Sequence, residues 1–189
     1  MISGVGGGKI MIRSARLGDA PALADMYRYY VERFPYSFEY TAPDAAEFER
    51  RIAETQRFFP FLVCERDAKV LGYAYAHFYH PRKAYQWVCE TSVYTRHDCM
   101  QRGVARALYD VLLPALKWQG FAKAFAILGC PNEGSEAFHR KLGFSLLATF
   151  PDMGYKMAQW HDVKYFVRAL NPVTDYMPPP RPYEDVSTG

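Results

Sequence analysis

Cysteine is scarce in this chain of 189 residues: there are four, Cys64, Cys89, Cys99 and Cys130. None is spaced as C-x-x-C and no paired histidines stand nearby, so zinc is not expected, and no other metal is. Thiols so used fit a reduced, cytoplasmic setting. Charge of one sign is also in short supply. The formal net charge is only +3, and no basic stripe interleaves with the aromatics, which argues against a dedicated nucleic-acid binder. The small positive excess better suits an anionic small molecule. Long apolar runs are missing too: none approaches the roughly 20 residues of a membrane helix. The stretch Met1 to Lys9 is glycine-rich rather than apolar, unlike a secretory signal, and is expected to be a flexible leader. No segment repeats. What is present is a chain 50% hydrophobic and 16% aromatic, long enough for one domain with a sizeable core. That domain is expected over 10–170. The segment from Asn171 to Gly189, with Pro178-Pro179-Pro180-Arg181-Pro182, is expected to be an extended or loose tail.

Hydrophobic periodicity divides the domain. Ile10 to Arg16 reads as a strand, then Asp19 caps a helix with Leu23, Met26, Tyr27 and Tyr30 on its apolar face. A loop through Phe34-Pro35-Tyr36-Ser37-Phe38 follows, and Pro43-Asp44 opens a second helix carrying Phe48 and Ile52. Pro60 to Glu65 and Val70 to Tyr79 are strands joined by the polar turn Arg66 to Lys69, so they should pair antiparallel. In the second, Leu71, Tyr73, Tyr75, His77 and Tyr79 are expected on one face. Gly72, Ala74 and Ala76 are expected on the other, where something should pack closely. Gln86 to Thr95 is the central strand. Val104 to Trp118 is a strongly periodic helix, kinked or ended by Pro114 and closed by Gly120. Phe121 to Leu128 is a strand, Asn132 to Leu142 a helix closed by Gly143, and Ser145 to Phe150 and Tyr165 to Leu170 the final strands, with 154–162 between them. This order specifies a mixed α/β (α+β) sheet, mostly antiparallel, parallel where the helix after Gly103 crosses over, and flanked by helices.

One turn carries chemistry on its own. Met100-Gln101-Arg102-Gly103-Val104-Ala105 runs from the central strand into a helix. Unpaired amides and the helix dipole at such a turn suit a phosphate or pyrophosphate. Arg102 and Arg106 add charge beside it.

The order of elements, this turn, and Asn132-x-x-Ser135-x-x-Phe138-His139-x-x-Leu142-Gly143-Phe144 together resemble the GNAT superfamily of acetyl-CoA-dependent N-acetyltransferases, over about Ile10 to Leu170. Ser37-Phe38-Glu39-Tyr40, His80-Pro81-Arg82, Glu90-Thr91-Ser92-Val93-Tyr94, Gly154-Tyr155-Lys156 and Trp160-His161-Asp162-Val163 resemble its phosphinothricin and methionine sulfone acetyltransferase branch. The chain departs from the family pattern at Met100, where Gln or Arg is usual, and at His97, where proline is common.

The resemblance implies acetyl-CoA as cosubstrate, with amides around Arg102 to Ala105 on its pyrophosphate. It implies the end of the central strand, Ser92 to Tyr94, alongside the pantetheine arm, with an N–H polarising the thioester oxygen. It also implies Asn132 and Ser135 closing the groove, and a homodimer. Glu90 stands in the family's catalytic position; a carboxylate in an apolar strand can take the proton an ammonium must lose before attack. Its alternative role is as an ion-pair partner of Arg82 or another base. His139 aligns with a tyrosine that protonates the departing thiolate, and is equally readable as a packed helix residue. Arg82 suits capture of a substrate carboxylate or phosphinate, or simply faces solvent. Phe38, Tyr155 and Lys156 are candidates for pocket wall and anion contacts, Tyr155 being more readily read as core. Trp160-His161-Asp162 reads as structural, near a dimer contact. His77 and His80 read as strand-end residues. The implied activity is acetyl transfer to the amine of a small amino acid or analogue, of phosphinothricin or methionine sulfone/sulfoximine type, by direct attack. A peptide or protein N-acetyltransferase and a non-catalytic CoA-binding module remain alternatives.

Overall fold

A computed structural model of the chain describes residues 9–99 and 103–184. Its strands are β1 (Met11–Ser14), β2 (Phe61–Arg66), β3 (Lys69–Phe78), β4 (Val88–Thr95), β5 (Lys123–Gly129), β6 (Ser145–Lys156) and β7 (Gln159–Ala169). Its α-helices are α1 (Ala20–Arg33), α2 (Ala45–Thr55), α3 (Val104–Gln119) and α4 (Glu133–Lys141). The strands form one sheet in the order β1-β2-β3-β4-β5-β7-β6, antiparallel except for the β4–β5 pair. α3 is the crossover between those two.

Each sheet face has its own core. Leu108, Leu112 and Leu116 of α3 pack with Leu62, Ala74, Ala76 and Ala124 on one side. Leu23 and Tyr27 of α1 and Phe48 and Ile52 of α2 pack with Phe61, Val63 and Tyr73 on the other. The small residues of β3 do face a close neighbour: a Cβ on Gly72 would lie 2.8 Å from Val104 Cγ1. Leu71 departs from the expected alternation and joins the α3 side. It is the extra residue of a bulge, because Cys64 pairs with Gly72 and Glu65 with Val70, and a bulge re-aims the side chain it leaves unpaired.

Three other expectations are corrected. Asp19 precedes α1 without a side-chain capping bond; its carboxylate is taken by Arg13, at 2.7 and 2.8 Å, and by the Arg16 amide. β6 and β7 form one long hairpin that absorbs 154–162, turning through Met157 and Ala158 at φ 53° and 62°. Positive φ at both central residues is the hairpin-compatible geometry, and neither residue type announces it. Pro151 and Asp152 masked β6 further, as residues rare in strands, yet an edge strand with a register shift between Phe150 and Gly154 accommodates both. The tail is extended but not loose. Trp87 Nε1 donates to Pro178 O at 2.9 Å, Arg181 N to Gln119 O at 2.9 Å, and Tyr183 N to Phe58 O at 2.9 Å. Arg181 also stacks on the Trp118 ring at 3.5 Å. α3 runs on past Pro114 to Gln119, held by its buried Leu112, Leu113 and Leu116. Its end at Gly120 is left-handed, φ 98°, as a glycine terminator allows.

Candidate active site

The pairing of β4 with β5 stops early. Val88, Cys89 and Glu90 pair with Lys123, Ala124 and Phe125, and there the parallel ladder ends. β4 stays paired with β3 as far as Thr95, so Ser92, Val93 and Tyr94 present one backbone edge to a gap between diverging strands. Among the described residues no strand fills that edge. At the point of divergence Thr91 Oγ1 donates to Phe125 O at 3.0 Å, and the Tyr109 hydroxyl donates to Thr91 Oγ1 at 3.0 Å.

Glu90 sits at this fork, on the sheet face that α1 and α2 cover. Its side chain is 22% exposed and its Oε2 lies 3.9 Å from Nε2 of His77, its register partner on β3. Burial raises its pKa above the ordinary carboxylate value, and His77 pulls the other way. His77 is thus more than a strand-end residue. Arg82 is not the partner of Glu90: it is exposed in the β3–β4 loop, where its amide donates to His80 Nδ1 at 3.3 Å.

Residues 34–40 form a roof against the end of β5 and the β6–β7 hairpin, pinned from several sides. A Cβ on Gly129, at the end of β5, would lie 2.6 Å from Pro35 O. Tyr30 of α1, whose ring lies 6.2 Å from that of Phe34, donates its hydroxyl to Thr95 O at the end of β4. Lys156 is 4% exposed and its Nζ donates to Phe34 O at 3.1 Å and Ser37 O at 2.6 Å. Burial lowers its pKa. It is therefore a staple of the roof rather than an anion contact, because its charge is already spent on two carbonyls. Phe38 lies against Gly154, where a Cβ would meet the ring at 2.3 Å. Tyr155 is 49% exposed at the hairpin tip beside Trp160, neither core nor pocket. His161, 3% exposed, has its ring nitrogens 3.0 Å from Cys130 O and Lys156 O, which matches a structural role for Trp160-His161-Asp162.

His139 is 2% exposed. Its Nδ1 lies 2.8 Å from Ser135 O and its Nε2 3.3 Å from the Tyr109 hydroxyl. Burial lowers its pKa below the ordinary histidine value. With both nitrogens engaged inside the core, it suits a buried peg behind β4, joined through Tyr109 to Thr91, and not a proton donor to a thiolate in the groove. Asn132 caps α4, accepting from Ser135 N at 3.3 Å. Gly103 precedes α3 in a left-handed conformation, φ 80°, and Val104 and Ala105 open its first turn. Amides of a helix's first turn lack intrahelical acceptors and suit an anion. Met100, Gln101 and Arg102 lie outside the described residues.

Residues 12–164 match the acetyltransferase (GNAT) domain. The chain belongs to the GNAT acetyltransferase family. It is 33% identical to the phosphinothricin N-acetyltransferase of Streptomyces viridochromogenes, over 94% of this chain and 95% of that one. It is 29% identical to the L-methionine sulfoximine/L-methionine sulfone acetyltransferase of Pseudomonas aeruginosa, over 85% of this chain and 95% of that one. Its fold superposes on a GNAT superfamily phosphinothricin acetyltransferase from Sinorhizobium meliloti, solved with AcCoA, with a TM-score of 0.86, 29% identity, and coverage of 94% and 97%. The diverging β4 and β5, the α3 crossover and the roof are thus parts of a GNAT acetyltransferase. No helix among the described residues is long and apolar enough to cross a membrane.

Proposed function

We infer that this GNAT enzyme transfers the acetyl group of acetyl-CoA to the amine of a small amino acid or analogue. The phosphinothricin and methionine sulfone/sulfoximine type of its relatives is the first choice of substrate. The observation that carries the reading is the half-buried carboxylate of Glu90 at the fork where β4 leaves β5. Acetyl-CoA supplies the activated acyl group. The open edge of Ser92 to Tyr94 suits the amide-bearing pantetheine arm, and the first turn of α3, with Gly103, Val104 and Ala105, suits the pyrophosphate. Met100, Gln101 and Arg102, which precede Gly103 in sequence, are assigned to the same cofactor, with Asn132 and Ser135 from α4 and its cap.

In this scheme Glu90 takes a proton from the ammonium, directly or through water. The freed amine forms the new C–N bond at the thioester carbon, the C–S bond breaks, and the second proton that nitrogen sheds passes through water to the departing thiolate, which leaves as the thiol. A β4 amide donates to the carbonyl oxygen as it gains charge. Phe38 walls the acceptor side under the pinned roof, which favours a small amine over a peptide, and Arg82 receives its carboxylate from the loop. We place the enzyme in the cytoplasm as a homodimer, closed over the exposed apolar residues of β6. The deciding measurement is CoA release with a panel of free amino acids set against peptides, for wild type and Glu90→Gln. Turnover confined to peptides would overturn the substrate assignment. Undiminished turnover by Glu90→Gln would overturn the base.

A further inference from the structure

A cavity of about 200 Å³ lies between α2 and the β2–β3 part of the sheet. It has an aromatic floor of Phe48, Phe61 and Tyr73, and Thr55, Arg51 and Glu54 of α2 at its rim. Its remaining wall is shared with the fork. His77 lines it and also stands 3.9 Å from the Glu90 carboxylate. Tyr75 lines it and pairs in register with Ser92. A molecule whose amine rests at Glu90 therefore has this cavity beside it, with His77 and Tyr75 common to both. Two of the four side chains expected from sequence to bind substrate are committed elsewhere, Lys156 to the roof and Tyr155 to the hairpin tip.

The charges at the rim are already satisfied. Arg51 holds Glu39 at 3.0 Å and Glu47 at 2.8 Å, and Arg50 holds Glu54 at 2.6 Å. Two arginines thus meet three carboxylates, with Glu90 a further negative charge nearby. An anionic group entering here would find no uncommitted cation and would sit against surplus negative charge. A neutral group meets ring faces instead. A cavity of about 150 Å³ is enough for benzene, so this one has room for a ring, a branched chain or a sulfone.

We propose that this cavity is the side-chain pocket of the acceptor site, and that it selects a neutral, bulky amino acid side chain over an anionic one. The proposal rests on the acetyltransferase reading above. Among the substrates its relatives are named for, it favours methionine sulfone over the phosphinate.

The test uses the full chain with saturating acetyl-CoA and five acceptors: alanine, methionine, methionine sulfone, phenylalanine and phosphinothricin. Wild type should prefer methionine sulfone and phenylalanine to alanine by about tenfold or more in kcat/KM, the scale on which an apolar pocket discriminates. Phosphinothricin should fall below methionine sulfone. Thr55→Phe, which fills the pocket from its rim, should raise KM for the bulky acceptors about tenfold more than for alanine. Thr55→Leu should do the same more weakly, and serves if the larger change impairs folding. An equal effect on all acceptors, or none, overturns the pocket. Calorimetric titration with methionine sulfone separates this from failure of the activity. Binding by wild type that Thr55→Phe abolishes, without turnover, keeps the pocket and sinks the acetyltransferase reading. Absence of binding, or binding that Thr55→Phe leaves intact, sinks the pocket.

Discussion

Glu90 carries two opposite demands, and both are measurable. As a base it must be ionised, while its burial favours the protonated form. The acidic limb of kcat/KM should therefore fall above the ordinary carboxylate range, with activity lost as pH drops through it. His77 counters the burial, so His77→Gln should move that limb to higher pH; a limb that stays put would mean another group is being titrated. Glu90→Gln should lower kcat by about 10²- to 10⁴-fold. The same raised pKa sets a stability trend. A carboxyl whose folded pKa exceeds its unfolded one contributes stability below the unfolded value and loses it as pH rises through the folded one. Glu90→Gln should thus melt above wild type at neutral pH, with the gap closing in acid. Glu90 was legible because a charge in an apolar strand is costly unless it does something. His77 was not, because its meaning depends on which β4 residue stands opposite, and that register is set by the hairpin rather than by any local pattern.

At the level of elements, the periodic helices and alternating strands were readable, while the irregular backbone was not. Ala158 shows why: its φ of 62° is imposed by the β6–β7 pairing and carries no glycine or asparagine to reveal it. Ala158→Gly should raise stability by about 0.5–1 kcal/mol, a left-handed alanine costing about 1–2 kcal/mol and glycine returning part of that as chain entropy. A two-state denaturation series would measure it, and a fall in stability would contradict the strained-turn reading. The docking of the tail was hidden for a related reason. Proline composition sets an extended backbone but says nothing about where it docks, and docking here uses Gln119, Trp87 and Phe58, far away in sequence. Truncation after Asn171 should lower stability by about 1–3 kcal/mol, each bond contributing about 1 kcal/mol net against the entropy of ordering the strap. At this chain length the melting point should drop by roughly 2–4 °C per kcal/mol. An unchanged melting point would return the tail to a passive role.

At the scale of the whole molecule, the described residues leave one long edge unfinished. β6 ends the sheet, and Leu147, Phe150, Met153 and Trp160 are 59%, 41%, 56% and 60% exposed along its hairpin. An exposed apolar edge strand invites pairing unless something covers it. If a second copy does so, Leu147→Lys with Phe150→Lys should convert a dimer to a monomer in sedimentation equilibrium while the monomer stays folded. A wild-type monomer at the same concentrations would exclude that arrangement.

The cysteines, few as they are, have a practical consequence at this same scale. Cys64 and Cys89 are 0% exposed, Cys99 6% and Cys130 9%. Burial pushes the Cys64 thiol up to about 11 and raises Cys89 and Cys130 as well. A thiolate is the reactive form, so the native protein should be nearly silent toward an aromatic disulfide reagent. The thiol released with each acetyl transfer can then be counted in real time against almost no background, and a slow rise in that background would report the fold opening.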